Sequence, residues 1–290
     1  MLYQTAKAAI SNTLRPFGFD VPLRSAWRQV ENFGARYRCS MCGEKISAFF
    51  PGGEQHPVLI EKSVIGGGPR ANVTCPVCYS VDRERLLFLF LTANPNMLSG
   101  NFHILHLAPE AKLREWLSSQ QQLHYTTADL NMPGVDHHFD LTDIPIDDCS
   151  FDGIICNHVL EHVGADEKAM AELFRILKPG GWAILQVPIS RSLFQTCEDP
   201  TITDPRERER LFGQDDHVRI YGPDYVKRLQ NAGFSVGEFD WRSEPQKYGG
   251  VKNSFGLIDG EVVFLATRPS ANGYVAWPCS RDAPASILKR

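Results

Sequence analysis

The sequence predicts an α/β fold, a mostly parallel sheet flanked by helices, with a small cysteine-bearing module ahead of it. Three observations predict it. From about residue 100, short apolar runs alternate with stretches of helical periodicity, the pattern of strand–helix–strand units. Two CxxC motifs, Cys39/Cys42 and Cys75/Cys78, precede that alternation. Ala169, Met170, Leu173, Phe174 and Leu177 fall on one helical face, and Lys178-Pro179-Gly180-Gly181 stops the helix just before another apolar run, a helix-to-strand junction.

Composition bounds the rest. At 290 residues the chain can bury one substantial core with room for an appendage. The 43% apolar and 22% charged residues match a globular protein, and no apolar run reaches the 18 residues of a membrane span. A formal net charge of −4 gives the whole chain no positive field for nucleic acid. Leu2, Ala6, Ile10 and Leu14 stand at helical spacing and are too interrupted for a secretory signal, so residues 1–35 read as a docked N-terminal helical segment and the expected setting is cytoplasmic.

Eight cysteines in a reducing compartment point to metal rather than disulfides. Cys39 and Cys42 form one tight turn, and Cys75 and Cys78 a second, 32 residues further on. Each turn can grip one side of a tetrahedral ion, and four thiolates leave no open position, so a structural zinc in a module spanning 36–82 is expected. Unrelated buried cysteines or a redox CxxC are the competing readings; the doubling, Gly43 and Pro76 count against both. The Gly66-Gly67-Gly68 run lacks the Lys-Ser/Thr ending of a phosphate loop. Cys149, Cys156, Cys197 and Cys279 show no pairing pattern.

Within 83–268, strands are expected near Phe102–Leu107, Tyr125–Ala128, Phe151–Asn157, Trp182–Val187, Ser235–Trp241 and Glu261–Thr267, and a helix over Asp224–Ala232 ending at Gly233. Residues 269–290 read as a tail. In such a sheet, ligands bind beyond the carboxyl ends of the strands where strand order switches. The loops to inspect are therefore His106 to Glu110, Asp129 with Leu130, Asp140 with Leu141, and Asn157 with His158. Asp129, at the tip of the second strand, suits a ribose diol, because a carboxylate can accept from both hydroxyls. Either Asp129 or Asp140 alone could equally be a turn carboxylate. About 33 residues separate Pro188 from Gly222, long enough for a lid or substrate wall (189–222), and Asp204-Pro205 through Gly213 reads as a short capped helix within it.

The run from Asp140 to Val163, DLTDIPIDDCSFDGIICNHVLEHV, the LKPGG of Leu177 to Gly181, and HVRIYG from His217 resemble the type 11 family of small-molecule methyltransferases. The resemblance covers roughly residues 100–267. It implies a Rossmann-like seven-stranded sheet and S-adenosylmethionine as cofactor. It also implies that the segment His106, Ala108, Glu110 faces the methionine part, Asp129 with Leu130 the ribose, Asp140 with Leu141 the adenine, and Asn157 with His158 the pocket wall. One departure is plain: the family's acid-and-glycine turn after the first strand is His106-Leu107-Ala108-Pro109-Glu110 here, and Pro109 offers no amide proton.

A hydroxyl acceptor must lose a proton, and a histidine is the usual base. His217, in the long connection, is the first candidate and His162 the second, with His158 lining the cofactor pocket. The leading function is methyl transfer to a small-molecule acceptor, a metabolite, sugar or lipid-linked intermediate. The second is a nucleic-acid methyltransferase using Arg36, Arg38, Arg70, Arg83 and Arg85 as a local basic surface, and the third a non-catalytic binding module.

Overall fold

The computed structural model describes residues 33–270. Of the helical segment expected over 1–35, residues 1–32 lie outside the described residues, as do the tail beyond 270 and Cys279, and residues 33–35 belong to a strand. The cysteine-bearing segment contains β1 (Phe33–Arg38), β2 (Lys45–Ile46), β3 (Phe50–Gly52), α1 (Pro57–Glu61), β4 (Val64–Ile65) and β5 (Arg70–Thr74). β1 pairs with β2 and β3 with β5, both antiparallel. α2 (Asp82–Ala93) then leads to the large sheet.

That sheet is built from β6 (His103–Leu107), β7 (His124–Asp129), β8 (His137–His138), β9 (Phe151–Asn157), β10 (Leu177–Gln186), β14 (Ser235–Asp240) and β15 (Val262–Thr267). Its order is β14-β15-β10-β9-β6-β7-β8. The five strands from β10 to β8 run parallel and β15 is antiparallel to both its neighbours, so the seven-stranded, mostly parallel, Rossmann-like sheet read from the sequence is the sheet observed. Strand order reverses between β6 and β9, which opens a crevice at their carboxyl ends. β6 and β9 are buried almost throughout, as strands covered on both faces must be.

The helical face read from Ala169 to Leu177 forms a helix that ends at Ile176; Leu177 and Lys178 already belong to β10, where Leu177 pairs with Phe151 of β9. α3 (Ala111–Ser118) and α4 (Asp166–Ile176) connect parallel strands, and α4 turns Ala169, Met170, Leu173 and Ile176 fully into the core. Arg268 donates to the carbonyls of Phe174, Arg175 and Leu177, satisfying orphan acceptors at the end of α4. In the long connection, β11 (Ile189–Ser190) precedes β12 (Cys197–Glu198), α5 (Pro205–Phe212) and β13 (Arg219–Ile220), and α6 (Tyr225–Asn231) follows. α5 is the helix expected there: Asp204 caps it, Pro205 opens it and Gly213 closes it at φ 92°.

This connection is not free-standing. β11 pairs antiparallel with β4, and Phe212 and Ile220 pack against Val58, Leu59 and Val64 of the cysteine-bearing segment. α2 fastens the same segment from the other side. Asp82 takes both guanidinium arms of Arg70 at 2.6 and 3.0 Å, and Glu84 accepts from the Lys112 and Leu113 amides at the start of α3. Arg85 has no solvent exposure and donates to five carbonyls: Asn72 and Val73 in β5, Ser80, Phe255 and Gly256. Its guanidinium also lies 3.9 Å over the Phe49 ring. Arg85→Met keeps the length and removes the donors, stranding buried carbonyls; we expect a loss on the order of 3 kcal/mol of stability, read by urea denaturation.

Candidate functional site

The crevice between β6 and β9 is edged by two residues in a conformation that side chains seldom adopt. Ala108, just past β6, has φ 46°, and His158, just past β9, has φ 54°. Left-handed backbone at a non-glycine residue costs on the order of 1–3 kcal/mol and persists where neighbours over-determine it. Here the Ala108 amide donates to the Ala128 carbonyl at 2.9 Å and the His158 amide to the Gln186 carbonyl at 2.8 Å. Ala108 thus keeps a turn that glycine would make without strain.

Between these turns, Glu110 gathers the crevice floor. Its carboxylate accepts from His106 Nε2 at 3.0 Å, Arg83 Nε at 3.2 Å and Asn157 Nδ2 at 3.1 Å. The His106 and Arg83 partners outweigh burial and hold its pKa below the usual carboxylate range. His106 is fully buried, with Tyr125 Oη 2.8 Å from its Nδ1. Among the described residues, the buried Asn157 Oδ1 has no hydrogen-bond partner. Asp129 stands at the tip of β7, where its Oδ1 accepts from the Asn131 and Met132 amides at 2.7 and 2.6 Å; Leu130 beside it is 58% exposed. Asp140 is exposed and accepts from the Thr142 amide, which lowers its pKa, whereas the Leu141 side chain is buried in the core and offers only backbone.

A second group of residues converges on the loop after β9. Arg219 of β13, itself buried, donates to the carbonyls of Leu160, Val163 and Gly164 at 3.0, 2.5 and 2.9 Å, and the Val218 amide donates to the Glu161 carbonyl at 3.0 Å. The long connection therefore braces the loop and sets His217 against His162, ring centroids 4.6 Å apart at 83°. Asp216 Oδ2 lies 3.1 Å from His162 Nδ1. Burial, with His162 nearby, pushes the His217 pKa down to about 4. Glu161 is buried and lifted to about 8 by desolvation, and His158 Nδ1 stands 3.6 Å from its Oε1. His158 is held well below the usual histidine range, first by burial and then by Arg83 and Arg70. Glu161 and Asp216 escaped the sequence reading, although Glu161 sits between His158 and His162 in the same motif.

His158 also lines a cavity of about 200 Å³ where the cysteine-bearing segment meets the sheet, with Gly66, Gly67, Arg83, Pro188 and Gln214. Gly66, at φ 86°, approaches closely: a Cβ there would sit 3.4 Å from His158 Cε1 and 3.8 Å from Glu261 Oε1. The glycines between the CxxC pairs thus bring a wall against the site. Of the five arginines of the possible basic surface, Arg85 is buried, Arg70 is paired with Asp82 and Arg83 with Glu110; Arg36 and Arg38 remain exposed.

The four cysteines of the same segment meet in one cluster. Their sulfurs lie within 4.8 Å of one another, with Cys39–Cys78 at 3.7 Å and Cys42–Cys75 at 4.0 Å. A tetrahedral zinc with Zn–S near 2.3 Å needs sulfurs about 3.8 Å apart. The two turns repeat one geometry: the Cys39 and Cys75 amides donate to the Glu44 and Ser80 carbonyls, while the Gly43 and Tyr79 amides donate back to the Cys39 and Cys75 carbonyls. Gly43 and Tyr79 both have positive φ, at 79° and 63°. The site fits a closed four-thiolate ion.

Residues 105–185 match the type 11 family described as a methyltransferase domain. Among curated proteins, a demethylmenaquinone methyltransferase of Clavibacter sepedonicus is 34% identical over 94 residues, 32% of this chain and 33% of that protein. A protein of Mycolicibacterium smegmatis named "Probable S-adenosylmethionine-dependent methyltransferase" is 29% identical over 105 residues, 36% of this chain and 37% of its own length. The matched part thus spans about a third of these relatives. Solved structures similar to the chain include an S-adenosylmethionine-dependent methyltransferase of Mesorhizobium loti (TM-score 0.40, 13% identity, 62% of this chain and 98% of that one). Another is the 1,6-didemethyltoxoflavin-N1-methyltransferase of Burkholderia thailandensis bound to S-adenosylhomocysteine (TM-score 0.39, 15% identity, 62% and 76%).

Burial at this site has a pH signature. Glu261, 6% exposed and with Oε2 unpartnered among the described residues, is lifted from 4.5 to about 8 by desolvation. Its folded pKa exceeds its unfolded one, so the native state holds a proton that the unfolded chain releases between pH 4.5 and about 8, and stability falls as pH rises through that window. Glu161 acts in the same direction. In urea titrations from pH 5 to 8, Glu261→Gln should make the fall shallower by up to about 1.4 kcal/mol per pH unit.

Proposed function

We propose that the chain is an S-adenosylmethionine-dependent methyltransferase acting on a small-molecule acceptor, with 83–268 as the catalytic domain, 36–82 as a zinc-held module and 189–222 as a substrate wall. The observation that carries the reading is the pair of strained turns at Ala108 and His158 on either side of the strand-order switch, with the unpartnered Asn157 Oδ1 between them. Strain and an unsatisfied buried acceptor at the crevice are what a bound ligand would compensate. Bound there, the cofactor would supply a methyl group on a sulfonium, ready for in-line displacement.

In this reading Asp129 accepts from the ribose hydroxyls and Leu130 covers the adenine side, with Asp140 and the Leu141 backbone beyond. Asn157 Oδ1 takes a donor of the methionine part. Glu110 and His106 act from beneath: with Glu110 already accepting from Arg83, His106 and Asn157, they hold the Ala108 turn rather than compete for the ammonium. His158 forms the boundary between cofactor and acceptor. His162 and His217 are assigned to the acceptor nucleophile. A pKa of about 4 leaves His217 neutral and a poor proton acceptor at pH 7, so direct deprotonation falls to His162, which Asp216 orients. The cavity beside His158 suits a compact acceptor, and no helix among the described residues is long and apolar enough to cross a membrane.

Calorimetry with S-adenosylhomocysteine tests the core of this reading. Asp129→Ala should weaken binding by about 1.5–3 kcal/mol, the scale of hydrogen bonds to a charged group; wild-type protein that fails to bind would overturn the assignment. For the module, we infer a structural zinc on Cys39, Cys42, Cys75 and Cys78, in keeping with a reducing cytoplasm. Elemental analysis should find this zinc in the purified chain and its loss in Cys39→Ser and Cys75→Ser. Structural zinc binding is worth on the order of 10–16 kcal/mol, so those variants should show protease sensitivity within 36–82.

A further inference from the structure

Besides the cysteines, Glu161, His162 and His217 each bring one ligand atom to a common point, all within 4.8 Å of one another. Glu161 marks the cluster as unfinished: its carboxylate is 2% exposed, and neither oxygen has a hydrogen-bond partner among the described residues. A protonated carboxyl would still need an acceptor for its proton, and buried polar atoms are rarely left bare. The groups facing Glu161 are His158 and His162 from its own loop and Asp216 and His217 from the long connection. The nearby cations are committed elsewhere, Arg83 to Glu110 and Arg219 to Glu198 and the loop carbonyls.

We propose that Glu161, His162 and His217 bind one divalent cation, distinct from the ion of the cysteine cluster, and that the acceptor docks on it through oxygen. Two imidazoles and one carboxylate form a set that suits manganese, iron, cobalt, nickel or zinc and leaves coordination positions open for a ligand. The supporting contact is one that metal-ligating histidines make: Asp216 Oδ2, 3.1 Å from His162 Nδ1, holds the His162 ring from the solvent side. His158 links the cluster to the cavity in which an acceptor fits. Four cysteine sulfurs, in contrast, favour soft ions.

The proposal deepens the methyltransferase reading and, for its chemical step, rests on it. A cation acidifies a hydroxyl it binds, as it does water. The acceptor's O–H bond breaks and its proton passes to solvent past Asp216, which is 63% exposed. The oxygen lone pair forms the O–CH3 bond, and the C–S pair of the sulfonium stays on sulfur, giving a methyl ether, a neutral thioether and one proton. The imidazoles then lend lone pairs to the cation, so with the cation bound His162 is a ligand and no longer the direct base.

Manganese(II) is the probe, because it is a poor match for thiolates. The full chain, treated with a chelator mild enough to spare the cysteine-held ion, is titrated with Mn²⁺ and followed by electron paramagnetic resonance, with S-adenosylhomocysteine calorimetry on the same sample. We expect one Mn²⁺ per chain, nitrogen coupling in its spin-echo spectrum from the imidazoles, and at least tenfold weaker binding in Glu161→Gln and His217→Gln. Substoichiometric Mn²⁺, or bound Mn²⁺ without nitrogen coupling, overturns the site in the wild-type protein whatever the variants do. Unchanged affinity in Glu161→Gln overturns it as well. Homocysteine-adduct binding without Mn²⁺ sinks the cation alone, whereas Mn²⁺ binding without that adduct sinks the methyltransferase reading and leaves the site standing.

Discussion

The buried guanidinium of Arg85 is the interaction on which the rest of the arrangement hangs. A charge without solvent exposure is tolerable only if its donors are used, and five carbonyls from three chain segments use them. Two of those carbonyls belong to β5 of the cysteine-bearing segment, and two to the stretch before β15. Its neighbours extend the same logic: Asp82 fixes Arg70, Arg83 reaches Glu110 at the crevice floor, and Glu84 caps α3. Four consecutive charged residues thus bind a small segment with little core of its own to the sheet that carries the chemistry.

From that anchor the geometry propagates in two directions. Toward the cofactor side, Arg83 and Glu110 support Asn157 and the strained turn at Ala108. Toward the acceptor side, β4 holds β11 and α1 packs on α5, so the connection carrying His217 is fixed to the cysteine-bearing segment. Arg219 then clamps the loop bearing His158, Glu161 and His162. The connection read from the sequence as a lid or substrate wall is thus docked against the cysteine-bearing segment.

Most of the architecture was legible because it depends on patterns of residue type. β9 runs over the residues read from the sequence, α5 shows its Asp-Pro opening and Gly close, and the two CxxC turns meet as their spacing required. The misses share a physical cause, which is that burial of a charged side chain cannot be read from its type. Arg70, Arg83 and Arg85 looked like surface charge in a sequence where arginine is seldom buried, and all three serve the interior or its edge. Glu161 was passed over between two histidines for the same reason. The close approach of Gly66 to His158 depends on tertiary contact and has no sequence signature.

The properties of His217 show how far tertiary context sets chemistry. In an isolated chain its imidazole would titrate near neutrality and qualify as a base by residue type alone. Here the ring is buried and lies edge-on to His162, and burial pushes its pKa down to about 4. Burial that weakens a base is the same burial that makes a ligand, since a metal competes with a proton for one lone pair and gains wherever the proton is disfavoured.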